Sequence, residues 1–231
     1  IAVAIRIAAA RVAALGVTLA VVCAPAGAQT RISLAQLGFR SGPTFSAVYA
    51  GQKVVVRGVV SAPAFHFIDY SMLAIQDGSN GGVLRVAVPD VSLEKYRPGD
   101  EIEAQGTVSS QYGMTVLQPE KINVVDRKPA PQPKDLAPGE LQSMMHLGEL
   151  VRTQGPVVAP YRNSGGAGVF VVGPKDNYRL FIPRAPGQDF ANVDSIRLGA
   201  TVRFTGIALQ YCPAPPYNSG FELLVASVND I

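Results

Sequence analysis

The sequence predicts an all-β protein in which one small five-stranded barrel is written twice. Three observations carry that prediction. The stretch GQKVVVRGVVSAP at residues 51–63 returns as GELVRTQGPVVAP at 148–160, with Gly51, Gly58 and Ala62-Pro63 in register with Gly148, Gly155 and Ala159-Pro160. A second pair, RPGDEIEAQGTV at 97–108 and RLGATVRFTGIA at 197–208, aligns Arg97 with Arg197, Gly99 with Gly199 and Gly106 with Gly206. Both members of that pair alternate in polarity with the same phase, as a half-buried strand must.

The elements follow in chain order. Residues 1–28 read as a secretory signal peptide: Arg6 and Arg11, an apolar run over 12–22, then Ala26-Gly27-Ala28 as a small-x-small cleavage pattern. An uncleaved N-terminal anchor is the alternative. Cys23 lacks the small preceding residue that a lipidated cysteine requires, since Val22 stands there. The chain opens on Ile1 rather than Met, so the reading frame is expected to begin upstream. Residues 29–50 form a lead-in segment.

The first barrel is expected over 51–125 and the second over 148–231. Each opens with a long strand carrying a mid-strand glycine, Gly58 or Gly155, where one strand bends to serve both sides of a barrel. A hairpin follows. In the first copy MLAIQ and VLRVAVP flank DGSNGG, whose Asp-Gly and Asn-Gly pairs suit tight turns. In the second copy VFVV and YRLFIP flank GPKDN. A short helical or coil excursion, 91–96 or 189–196, precedes the fourth strand. The last strands lie in MTVLQPEKINVV and FELLVASVNDI. Five strands with the excursion between the third and fourth are the plan of an OB-fold, a Greek-key barrel. An immunoglobulin-like sandwich is the competing fold. The connecting segment 126–147 carries four prolines in VDRKPAPQPKDLAPGE and reads as a semi-rigid linker, with a short helix expected within 135–147.

Composition narrows function by exclusion. The 231 residues are 48% hydrophobic and 16% charged, so the chain can bury a core. Net charge is +3, and it falls to +1 once Arg6 and Arg11 leave with the signal segment. That is far from the basic excess a polyanion partner usually demands. Residues 51–125 carry six basic and eight acidic side chains; residues 148–231 carry seven and six. Cys212 is then the lone cysteine, a buried free thiol or an intermolecular partner.

No catalytic constellation emerges. His66 and His146 fall in different copies, and no Cys/His spacing suits zinc, so neither metal nor cofactor is expected. No nucleophile elbow or P-loop occurs. Asp100, Glu101 and Glu103 read as a solvated strand edge rather than an acid–base cluster. The chain is therefore expected not to be an enzyme. Its candidate ligand-binding residues lie on the loops that flank the binding face of an OB-fold. FHFIDY and SSQYG bring Phe65, His66, Phe67, Tyr70 and Tyr112 to one mouth. YRNSGGAG and QYCPAPPYNSG bring Tyr161, Arg162, Tyr211 and Tyr217 to another. Aromatics with an arginine can stack on bases, sugars or a peptide; they also serve simply to close barrel ends.

The run GQKVVVRGVVSAP, LAIQDGSNGGVLRVAVP, YRPGDEIEAQGTVSSQYG, then a Pro-rich link and a looser second copy, resembles the tandem OB-fold sensor regions of bacterial membrane histidine kinases. Similar units accompany some secreted bacterial nucleases. The resemblance covers roughly residues 31–231. It implies an exported, periplasmic or extracytoplasmic sensory module of two-component signalling, followed in the kinases by a membrane helix and kinase core. The chain stops at Ile231, so it is expected to be cut before such a helix, and kinase activity does not carry over. The implied partners are a small molecule, peptide or glycan, the membrane through a missing C-terminal segment or an uncleaved N-terminus, and a homodimeric copy. The alternative is a secreted module that binds single-stranded nucleic acid beside a nuclease. A plain structural spacer is the third reading.

Overall fold

Gly58 and Gly155 mark where each barrel closes. The computed structural model describes residues 30–87, 93–137 and 139–231; the export-signal reading and Cys23 lie outside the described residues. In the first repeat the strands are β1 (Lys53–Val60), β2 (Tyr70–Gln76), β3 (Gly81–Ala87), β4 (Asp100–Gln111) and β5 (Met114–Arg127). Strand β1 pairs with β4 as far as Val59, and from Val59 it also pairs with β2. In the second repeat the strands are β6 (Leu150–Asn163), β7 (Gly166–Val171), β8 (Tyr178–Pro183), β9 (Thr201–Gln210) and β10 (Phe221–Leu224). Strand β6 pairs with β9 through Pro156 and with β7 from Val157. A Cβ on Gly155 would stand 2.5 Å from Val171 Cγ1, and one on Gly58 3.1–3.2 Å from Leu34, Ile75 and Gln76, so the bend is packed against its neighbours.

Both circuits complete in the same order. The first runs β1-β2-β3-β5-β4 and back to β1, with β3 and β5 parallel at Leu84 and Leu117. The second runs β6-β7-β8-β10-β9 and back to β6, with β8 and β10 parallel. This is the OB-fold strand order, twice. The inward alternation reads as the sequence implied. Ile102, Ala104 and Val108 are buried in the first barrel, Phe204 and Ala208 in the second. The excursions are a turn closed by Tyr96 N–H on Leu93 O and a 3-10 turn at Val193–Ser195.

The lead-in and the Pro-rich segment are not spacers. Thr30–Arg31 lies parallel to β1, and Lys134–Asp135 lies parallel to β6 at the equivalent place. Ile32 N–H donates to Val55 O, and Leu136 N–H donates to Arg152 O, one repeat apart. Leu34 and Leu37, on a short helix capped by Ser33, enter the first core; Leu136 and Leu141 enter the second. Each barrel is therefore built with its own preceding plug. At the other end of the connector, β5 runs on to Arg127, so only residues 128–133 connect without strand pairing. The helix expected within 135–147 is a single 3-10 turn, Met144–His146.

The carboxylates of β4 are a correction to the sequence reading. Asp100 and Glu101 are buried, not solvated. Glu101 accepts from Arg57 at 2.6 Å and Lys128 at 2.5 Å, Asp100 pairs with Arg127 at 3.0 Å, and Glu103 takes Arg31 at 2.6 Å. The cations arrive from the lead-in, from β1 and from Arg127 and Lys128 at and just past the end of β5, all distant in sequence from the carboxylates they meet. Their hydrogen bonds favour the ionised carboxylate. Arg57 first, then Lys128, holds Glu101 down at about 2.

The two barrels share an apolar seam. The outward-facing Met72, Ala74 and Val83 of β2–β3, with Met114 and Val116 of β5 and Phe65 and Phe67 of the β1–β2 loop, are buried with Phe181, Ile207, Leu209 and Leu224 of the second barrel. Full burial of each large side chain is worth about 1.5–3 kcal/mol. Backbone meets backbone at its edge: a Cβ on Gly81 would lie 2.0 Å from Gly148 C. Beside it Leu150 N–H donates to Gln76 Oε1 at 2.9 Å. At the far side Arg40 Nη1 donates to Gln210 Oε1 at 2.6 Å, and Tyr217 N–H donates to Thr44 O at 2.9 Å.

Two predictions follow from this packing. Gly81→Ala must push the barrels apart; it is expected to cost about 1–3 kcal/mol and to split one calorimetric unfolding transition into two. Glu101 has a folded pKa below its ordinary 4.5, so its stabilisation is present above that pH and is lost as pH falls toward 2. Glu101→Gln is expected to flatten the acid limb of a stability-versus-pH curve over that window, measured by urea unfolding.

Candidate functional site

The seam does not close along its whole length. Beside the ends of β2 and β3, a cleft of about 390 Å³ opens between the two repeats. All four loops singled out in the sequence reach it. Phe67 to Tyr70 come from the β1–β2 loop, Gln111 and Tyr112 from the β4–β5 hairpin, Asn163 to Gly165 from the β6–β7 turn, and Gln210 and Tyr211 from the end of β9. The two expected mouths face each other and merge into one.

The β4–β5 hairpin turns on two residues in the left-handed region, Tyr112 at φ 49° and Gly113 at φ 81°. That conformation suits a two-residue hairpin but is unfavourable for tyrosine. Neighbours hold it there. Cys212 N–H donates to Tyr112 O at 2.7 Å, and the Tyr112 ring lies on Tyr211 with centroids 4.7 Å apart. Both rings remain largely exposed, at 46% and 42%. Cys212 itself is a buried free thiol.

Four charged side chains line the cleft. Arg179 lies over the Tyr211 ring at 4.7 Å and pairs with Glu222 at 2.6 Å. Burial pushes the Glu222 carboxyl up, against the pull of Arg179. Arg85 lies over the Tyr70 ring at 4.1 Å, and Tyr70 stacks on Phe67 at 4.2 Å, a three-layer sandwich. Asp69 is exposed at the rim. Met72, Met114, Phe181 and Leu209 supply apolar wall.

Of the nine residues drawn from the sequence, Phe67, Tyr70, Tyr112 and Tyr211 line this cleft. The other five lie elsewhere. Phe65 is buried in the seam. His66, beside it on the two-residue strand Phe65–His66, turns to the opposite face, with Nδ1 2.9 Å from Ser71 Oγ and Nε2 3.5 Å from Glu94. Tyr161 donates to Leu180 O at 3.3 Å and packs on Phe170 and Phe181. Arg162 is tied to Asp194 at 2.5 Å. Tyr217 is engaged with the lead-in through its backbone. The ligand-binding candidates drawn from the loops do not include Arg85, Arg179 and Glu222, which sit on outward positions of strands. A signal was present: Met72 to Ile75 is a continuous apolar run, the mark of a strand buried on both faces. Among the described residues no cluster of His, Cys, Asp and Glu could hold a metal ion, and no helix is long and apolar enough to cross a membrane.

No family model matches the chain, and no curated protein matches it. Solved structures do. A Leishmania major chain assigned as an aspartyl-tRNA synthetase is 20% identical with a TM-score of 0.34; the match covers 44% of this chain and 22% of that one. A murine DNA-binding protein bound to double-stranded DNA is 10% identical over 75% of this chain and 93% of that one, with a TM-score of 0.36. Fission yeast Pot1 with single-stranded DNA is 12% identical over 76% and 79%, with a TM-score of 0.33. This chain thus spans under a quarter of the synthetase's length. The OB-fold assignment stands on the strand order itself.

The hairpin tip gives a direct test. Glycine accepts the left-handed conformation that alanine resists by about 1–2 kcal/mol. Tyr112→Gly is therefore expected to be more stable than Tyr112→Ala by roughly that amount in denaturant unfolding, while both lose the ring from the cleft.

Proposed function

We propose that this chain is a non-catalytic module that binds a small molecule in the cleft between its two barrels. One observation carries the reading: loops and strands of both repeats converge on a single aromatic-lined cleft of about 390 Å³, within the size range of small-ligand sites. Arg85 and Arg179 are stacked on rings and Glu222 is paired with Arg179, an arrangement that suits binding. The signal-like N-terminus and the resemblance to kinase sensor regions support an exported, sensory role on the outer face of the cytoplasmic membrane.

The apolar seam changes how such a sensor would work. A hinge between independent barrels would need the seam to open, at the cost of exposing Phe67, Phe181, Leu209 and Leu224. A ligand that bridges the repeats instead stabilises the joined arrangement. At a hundredfold excess over Kd the gain is about 2.7 kcal/mol. Nucleic-acid binding has the exposed Tyr112–Tyr211 pair in its favour, as a stacking platform. Against it, most of the β2–β3 face of the first barrel, where an OB-fold binds oligonucleotides, is buried in the seam, and Arg179 is neutralised by Glu222.

The test is a thermal-shift screen of small anionic and neutral metabolites on the whole protein, run beside titration with a fifteen-nucleotide oligothymidylate at low and moderate salt. A saturable rise in midpoint with a small molecule, abolished by Tyr211→Ser, is the expected result. Tight oligothymidylate binding that falls steeply with salt would replace this reading with the nucleic-acid one. Indifference to every probe would leave a structural spacer.

A further inference from the structure

Arg85 and Arg179 occupy the same cleft and stack on tyrosines in the same way, yet their charges are balanced differently. Arg179 is matched by Glu222 at 2.6 Å. Among the described residues no carboxylate lies within ion-pair distance of Arg85, and its Nε is buried without a hydrogen-bond partner. A buried N–H left without an acceptor is costly, and a charged donor more so. The sandwich of Phe67, Tyr70 and Arg85 fixes the guanidinium plane, so its donors are already oriented. Asp69, the remaining acid of the cleft, is exposed at the rim, where water screens it. The inner part of the cleft therefore holds two cations against one buried carboxylate.

Resting on the small-molecule reading above, we infer that the ligand is a flat aromatic anion, with a carboxylate or phosphate seated on Arg85 and an apolar ring against the Tyr112–Tyr211 pair. The geometry matches both halves of such a molecule. The guanidinium fork donates two parallel N–H bonds to the oxygen pair of a carboxylate or phosphate. Tyr112, which among the described residues has no cation over its ring, and the partly exposed Tyr211 offer ring surface at the cleft, and Met72, Met114 and Leu209 provide apolar contact. A cationic ligand seated in the inner cleft meets Arg85 and Arg179 against the single buried carboxylate of Glu222 and is disfavoured. A neutral one leaves the Arg85 donors unmatched.

The experiment uses four probes on the whole protein: benzoate, phenyl phosphate, benzamide and benzylamine, titrated by NMR with the tyrosine ring signals as reporters. Benzoate or phenyl phosphate is expected to bind at least about tenfold tighter than benzamide, with benzylamine weakest, the preference for one anion over the other naming the headgroup. Arg85→Gln should erase the difference between benzoate and benzamide while leaving benzamide unchanged. Arg85→Lys should keep part of the preference, which guards against misfolding of the first variant. Arg162→Gln, outside the cleft, should alter nothing. Equal affinity for charged and neutral probes, or an anion preference that survives Arg85→Gln, overturns this inference alone. Failure of all four to move Tyr112 or Tyr211 overturns it together with the small-molecule reading.

Discussion

The apolar seam between the repeats is the constraint on which the rest of the molecule depends. An OB-fold barrel has a filled interior, so its outer faces are ordinarily free for solvent or ligand. Here the outer face of β2, β3 and β5 carries Met72, Ala74, Val83, Met114 and Val116, which no water-facing sheet would choose. The second barrel answers with Phe181, Ile207, Leu209 and Leu224. The seam can form only because Gly81 and Gly148 let two backbones touch where any side chain would hold them apart. Once formed, it fixes which loops can meet.

The cleft is a consequence of that docking. Neither barrel possesses it alone. Tyr70 and Arg85 come from one repeat, Arg179, Tyr211 and Glu222 from the other, and Tyr112 is held in a left-handed turn by an N–H from across the boundary. The cleft is thus lined from outward positions and loops of both repeats. Gly58 and Gly155, the equivalent closures and the equivalent plugs belong to the barrels themselves, whereas Gly148 lies on the seam. The interior carries the fold, and the outward positions form the seam and line the cleft.

The ion pairs around β4 show a related division. Asp100, Glu101 and Glu103 are adjacent on one strand and share a sign, which by itself argues for solvent. Their cations come from Arg31, Arg57, Arg127 and Lys128, spread over nearly a hundred residues of chain. Barrel closure brings β1, the lead-in and the end of β5 to that strand, and a solvated edge becomes a clasp. Nothing local to β4 reveals this.

By itself the sequence determined the repeat, the strand order and the inward face of most strands, because alternation and glycine placement are local consequences of the pleat and of tight turns. Ile102, Ala104 and Phe204 were legible as core from neighbours one and two positions away. It also marked four loops as aromatic-rich, and all four reach the cleft. Tertiary structure decided the remainder. It chose which of those aromatics face the cleft, sending Phe65 into the seam, His66 to Ser71 and Arg162 to Asp194. It converted the lead-in and the proline-rich segment into plugs, and it enlisted Arg85, Arg179 and Glu222 from outward strand positions. The reason is physical. Periodicity says which way a side chain points, but what it meets there depends on how two separately closed barrels dock, and that is set by contacts between residues far apart in the chain.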